Sequence, residues 1–131
     1  MDLKTIFTNE APAPGGHYSQ AIVHNGMVYV AGQLPIDPVT GNKVFGTIQE
    51  QTERVLKNIE AILITAGSSK QCILKTTVYI TDINEWSAVN AVYERFFGSH
   101  KPARAVVPVN TLHYGFKIEI EAIAALETEN T

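Results

Sequence analysis

The chain has 131 residues, 45% hydrophobic and 18% charged, which fits one globular domain able to bury a core without disulfides or metal. Its net charge is −3 and its ten Lys and Arg residues are scattered, which disfavours the clustered phosphate contacts that nucleic-acid binding needs. Cys72 is the only cysteine, so neither an internal disulfide nor a thiolate zinc cluster is available.

Met1-Asp2-Leu3-Lys4 lacks the apolar segment of a signal peptide, and no apolar run reaches the roughly 18 residues of a membrane span. A reducing cytoplasm is therefore the expected location, and residues 1–131 are read as a single domain. Prolines and glycines in Ala11-Pro12-Ala13-Pro14-Gly15-Gly16 mark a loop. Two short strands follow, Gln20 to His24 and Met27 to Ala31. Asn25-Gly26 between them suits a type I′ hairpin turn. Leu34 to Asn42 reads as another loop.

Thr47 and Glu50 have capping-box spacing. Ile48, Val55, Leu56, Ile59, Ile62, Leu63 and Ala66 then recur at helical period, and Gly67 is the natural stop. Ile73 to Thr81 is rich in β-branched residues, with Leu74, Thr76, Val78 and Ile80 expected on one face. A second helix is expected from about Asp82 to Phe97. Asp82 caps it, Trp86, Val89, Tyr93, Phe96 and Phe97 form its buried stripe, and Gly98 ends it. Arg104 to Val109 and Phe116 to Ala125 complete the strands. In the last one Ile118, Ile120 and Ala122 face one way, and Glu119 and Glu121 the other. This order predicts an α+β layer, a mixed β-sheet with two helices on one face. The uncovered face meets water or another subunit.

Arg104 is the only charge in an apolar strand start, where a guanidinium can fork onto a substrate carboxylate. A structural ion pair or a snorkelling edge residue is the alternative. Glu119 and Glu121 can act on a proton or place a water, but alternation alone also makes them the solvent face of a half-buried strand. His17, His24, His100 and His113 show no metal-ligand spacing. Cys72 has no positive neighbour before Lys75 and reads as a buried, inert thiol. His17-Tyr18-Ser19 lacks a nucleophile elbow, and no glycine motif for phosphate occurs.

Taken together, several motifs resemble a known family. Gly16-His17-Tyr18-Ser19-Gln20-Ala21 resembles its Gly-Pro-Tyr-Ser-Gln-Ala, and Ala31-Gly32-Gln33-Leu34-Pro35 its Ser-Gly-Gln-Ile-Pro. Lys75 to Asp82, Val89-Asn90-Ala91-Val92-Tyr93, Pro102-Ala103-Arg104 and Lys117 to Ala124 are similar to its later motifs, in order along nearly the whole chain. The family is the RidA (YjgF) reactive-intermediate deaminases. The resemblance implies a chorismate-mutase-like α+β fold, a homotrimer with active sites in intersubunit clefts, and no cofactor. It implies substrates that are 2-aminoacrylate-type enamines and 2-imino acids, hydrolysed to 2-keto acids and ammonia. Carried over residue by residue, Arg104 holds the substrate carboxylate and Glu119 lies near the attacking water. Tyr18, Gly32, Asn90 and Val106 line or support the pocket. Val106 stands where the family commonly has a cysteine, and His17 where it has a proline.

Two other readings share this site. One is a trimer that binds a small metabolite to regulate a partner, without turnover. The other is an RNA-directed ribonuclease or translation inhibitor, which the acidic balance disfavours. No membrane partner is expected.

Overall fold

The computed structural model describes residues 2–127. Its strands are β1 (Lys4–Ile6), β2 (Ala21–His24), β3 (Met27–Gln33), β4 (Ile73–Ile80), β5 (Ala103–Pro108) and β6 (Ile118–Ala125), and its helices α1 (Ile48–Ala66) and α2 (Trp86–Phe97). One sheet joins them in the order β1-β2-β3-β6-β4-β5. Every neighbouring pair is antiparallel except β4 and β5, which α2 connects. β6 fits between β3 and β4, the two strands that α1 links.

Local chemistry sets the element ends. The hairpin turn has positive φ at both Asn25 and Gly26, as a type I′ turn requires. Both halves of the capping box form at the start of α1, and Gly67 closes the helix in the left-handed region. These caps satisfy amide and carbonyl groups that the helix ends leave without partners.

Both helices pack on one face of the sheet. Val55, Leu56, Ile59, Ile62 and Leu63 of α1 are fully buried, as are Val28, Val78, Ile80, Ile118 and Ile120 of the sheet. Each such side chain contributes about 1.5–3 kcal/mol by leaving water. The opposite face carries no helix. Tyr29, Thr77, Tyr79, Glu119, Glu121 and Ile123 lie on it, and Tyr29 is 47% exposed.

Several boundaries differ from expectation. β1 carries no sequence signal of its own; it forms by pairing with β2. β3 runs two residues past Ala31 through a register shift between Val30 and Gln33, which brings Gly32 into the sheet. In β4 the register shifts between Ile73 and Lys75. The bulge puts Ile73 in the core and leaves Leu74 48% exposed, away from the face expected for it. Asp82 does cap, accepting from the Asn84 amide, but it caps a 3₁₀ turn at Ile83–Glu85 and α2 begins only at Trp86. Trp86 is 43% exposed rather than part of the buried stripe, because it stands at the first turn, beyond the core. β6 begins at Ile118, two residues later than read, after a 3₁₀ turn at His113–Gly115.

Candidate active site

Arg104 sits near the start of β5, the edge strand. It pairs in register with Thr76 of β4, whose side chain is buried on the helix face, so Arg104 also projects to that face. There its guanidinium carbon lies 4.9 Å from the ring centre of Tyr93 and 5.5 Å from that of Trp86. The Tyr93 hydroxyl shares a 3.0 Å hydrogen bond with the Thr76 hydroxyl, which fixes the ring under the guanidinium. Burial pushes the Tyr93 phenol up to about 12, so the ring stays neutral. No carboxylate among the described residues lies within 4.0 Å of Arg104. A cleft of about 420 Å³ opens beside it, lined among others by Asn90, Tyr93, Glu94, Phe97 and Pro102. Asn90 donates to the Glu94 carboxylate at 3.3 Å.

Glu119 lies on the other face. It sits in β6 between the buried Ile118 and Ile120 and pairs with Tyr79. A Cβ built on Gly32 would overlap its carboxylate, so the missing side chain of Gly32 makes the seat into which Glu119 folds. Burial is the main cause that raises the Glu119 pKa; the charge of His113 opposes it and that of Glu121 adds to it. Glu121 is differently placed: its carboxylate accepts a 2.9 Å hydrogen bond from the Tyr79 hydroxyl. That bond, with some burial, raises the Tyr79 pKa.

The residues singled out from the sequence therefore fall into separate groups within one chain. Arg104 and Asn90 share the cleft at the β5 edge. Gly32 and Glu119 share the open face. β5 stands two ladder steps from β6 and three from β3, about 9.6 and 14 Å at ordinary strand spacing. Tyr18 lies in the loop before β2, 53% exposed, with its hydroxyl accepting from the Gly15 amide at 3.1 Å. Buried Gln20 holds that loop through bonds with Thr8 and Pro12. Val106 pairs with Val78 and packs against the core. Cys72 is part-buried and accepts from the Ser69 hydroxyl at 3.5 Å. No three His, Cys, Asp or Glu side chains converge as a metal site among the described residues, and no helix there is long and apolar enough to cross a membrane.

Three features escaped the sequence reading. Tyr93 is buried in the stripe as its spacing predicts and also lies against the arginine, while Trp86, read as core for the same reason, flanks the arginine from outside the core. The Tyr79–Glu121 bond had a usable signal, since both residues alternate onto the same face of neighbouring strands.

A six-stranded mixed sheet under two helices, open on its second face, defines the chorismate-mutase-like α+β class. A family model described as Endoribonuclease L-PSP matches residues 8–126. A RutC family protein of Pyrococcus abyssi is 50% identical over 97% of this chain and all of its own length. A rat protein named 2-iminobutanoate/2-iminopropanoate deaminase is 44% identical over 92% of this chain and 88% of its own. A solved structure from Yersinia pestis, a protein of the conserved Rid family, superposes with a TM-score of 0.92 at 47% identity, covering 95% of this chain and 100% of that one. The chain belongs to the RidA (YjgF) family, which places it among Rid-type deaminases.

Proposed function

We propose that this protein hydrolyses 2-aminoacrylate-type enamines and their 2-imino acid tautomers to 2-keto acids and ammonia. The observation that carries the reading is Arg104: a guanidinium with aromatic rings against it, an open cleft beside it, and no carboxylate of the described chain on it. A planar fork left without a partner suits the carboxylate that every such substrate bears. Asn90 lines the same cleft.

Glu119 is the second working group. Its raised pKa suits a carboxylate that takes a proton from water and later returns it. Water adds to the carbon of the protonated imine as Glu119 accepts a proton from it, giving a neutral carbinolamine. Glu119 returns that proton to the nitrogen, the carbon–nitrogen bond breaks as the hydroxyl oxygen becomes the keto oxygen, and the hydroxyl proton leaves with the ammonia as ammonium. The enamine enters this path after protonation at its terminal carbon. Only water is consumed, so the reaction calls for no cofactor.

One small substrate cannot touch both Arg104 and Glu119 of the same chain, since they point from opposite faces. We therefore assign the complete site to a homotrimer, in which Arg104 of one copy approaches Glu119, Gly32 and Tyr18 of the next. The apolar part of the open face, with Tyr29, Ile123, Ala105 and Val107, supports this packing. The test is to couple a serine or threonine dehydratase to this protein and follow keto-acid release. Release well above the spontaneous rate is expected, together with a trimer by light scattering. No acceleration would sink the deaminase, leaving a carboxylate-binding regulator. The family model's endoribonuclease description motivates one control, a salt-dependent RNA titration. With a net charge of −3 and scattered basic residues, no binding is expected.

A further inference from the structure

We propose that Trp86 is a positioning residue for Arg104: with Tyr93 it holds the guanidinium by its rings and turns the hydrogen-bonding edge toward the cleft. The proposal rests on the carboxylate-anchor role given above to Arg104 and extends it to a residue outside the pocket lining.

The position of Trp86 is hard to explain by core packing. It is the first residue of α2 and 43% exposed, where a tryptophan gains less from burial than it would one turn further in. Its ring nonetheless lies 5.5 Å from the guanidinium carbon, within the range of cation–π attraction. Tyr93 supplies the second ring at 4.9 Å and cannot swing away, because its hydroxyl is tied to Thr76. Thr76 is the ladder partner of Arg104. The backbone position of the arginine and the ring beneath its head are thus set by one residue of β4. Trp86 is the only member of the arrangement not fixed by the core.

The chemistry follows from the shape of the group. A guanidinium donates its hydrogen bonds in its plane and has none to offer from its faces. Aromatic contact therefore restrains the head and removes water without consuming a donor. A carboxylate partner would also restrain it, but would occupy the fork. The aromatic pair pre-organises the arginine while leaving its donors for a substrate.

Trp86 is the chain's only tryptophan, so its fluorescence reports on this one site. Without ligand, Arg104→Ala should raise acrylamide quenching of Trp86 by roughly twofold. Unchanged quenching and emission would mean that the contact does not exist in solution, and would overturn the proposal. Calorimetric titration with 2-oxobutanoate then measures the anchor itself. Trp86→Ala should weaken binding roughly tenfold, and Trp86→Phe should recover most of the loss. In turnover of the coupled imine the same loss should fall mainly in KM, with a single cooperative melting transition retained. Wild-type affinity in Trp86→Ala, or no recovery in Trp86→Phe, would overturn the positioning role. Failure of the deaminase reading looks different: the wild type would release no extra keto acid, while the quenching comparison would still decide whether the contact exists.

Discussion

Arg104 and Glu119 stand two ladder steps apart in one sheet, yet their surroundings share almost nothing. Arg104 lies on the helix face, held by rings from α2. Glu119 lies on the bare face, folded into the space that Gly32 leaves. The planar guanidinium of Arg104 donates only along its edge, so the direction it faces is what matters. Its environment therefore decides orientation. A carboxylate is close enough to neutral pH for burial to matter. The environment of Glu119 decides its proton affinity. Each face does what its own charge needs: one aims a fixed cation, the other tunes an acid.

Replacing the aimed cation should do the most damage. Arg104→Ala removes a charge-assisted pair worth about 3 kcal/mol, on the order of 10²-fold in kcat/KM. Arg104→Lys should lose nearly as much, since an ammonium cannot supply the planar fork. The side chain is only part-buried and bonds to no group of the described chain, so the melting temperature of both variants should stay close to wild type. A wild-type rate in the lysine variant would show that the fork is not used.

Glu119→Gln tests the tuned acid and should show two opposed effects. It removes the proton acceptor, lowering the rate by about 10²-fold, a typical scale for general acid–base help. It also removes a carboxyl whose pKa is raised by burial. Such a group lowers stability once the pH exceeds its unfolded value, the ordinary glutamate value of 4.5. In the unfolded chain the group then ionises freely, while in the folded protein it resists. The glutamine variant should thus melt above wild type at neutral pH. That advantage should shrink as the pH falls toward 4.5 and vanish below it. A variant that is slower and also less stable at every pH would mean that Glu119 holds the fold together rather than storing a proton.

Much of this contrast was hidden in the sequence for definable reasons. Local signals were readable: Thr47 with Glu50, Gly67, and Asn25-Gly26 each act within a few residues, and each forms as expected. The alternation of β6 correctly put Glu119 and Glu121 on the face opposite Ile118 and Ile120. What alternation could not show is which face of the sheet Arg104 shares, because that depends on its register with Thr76 on a strand 28 positions earlier. One extra residue at a bulge changes such parity, as Leu74 shows. Trp86 was hidden in another way: an apolar residue at helical spacing reads as core, and only the start of α2 shows that it lies past the core's edge. The family motifs named Arg104 and Glu119 together, but within one chain the fold keeps them apart.

A smaller change tests the seat of Glu119 rather than the group itself. Gly32→Ala adds a Cβ where the carboxylate now lies. Gly32 is not among the glycines with positive φ, so alanine meets no backbone strain and the effect is steric. The carboxylate must move outward, nearer to water, and its pKa should fall toward the ordinary value. The rate should drop roughly tenfold, less than in Glu119→Gln because the acid is still present. The acid limb of the pH–rate profile should shift to lower pH. Glu121→Gln belongs lower still, at about twofold. Its carboxylate is occupied by the Tyr79 hydroxyl, and glutamine can still accept that bond.

The smallest effect is expected on the helix face, at Val106→Cys. Val106 shares its face with Arg104 two residues away, so a thiol there would be a nucleophile close to the anchor in sequence. Its ladder partner is the fully buried Val78, however, and its side chain packs against the core rather than opening onto the cleft. A thiol in apolar surroundings stays protonated and unreactive. Replacing two methyl groups by one sulfur at a part-buried site costs about 1 kcal/mol or less. The steady-state rate with the coupled imine should therefore stay within about twofold of wild type, a difference of less than 0.5 kcal/mol by the usual conversion. Alkylation of the variant by iodoacetamide should also stay slow until the protein is unfolded. A large gain in rate, lost again on alkylation, would show that sulfur at this position takes part in the chemistry. The division between an aiming face and a tuning face would then have to be redrawn with a nucleophile beside Arg104.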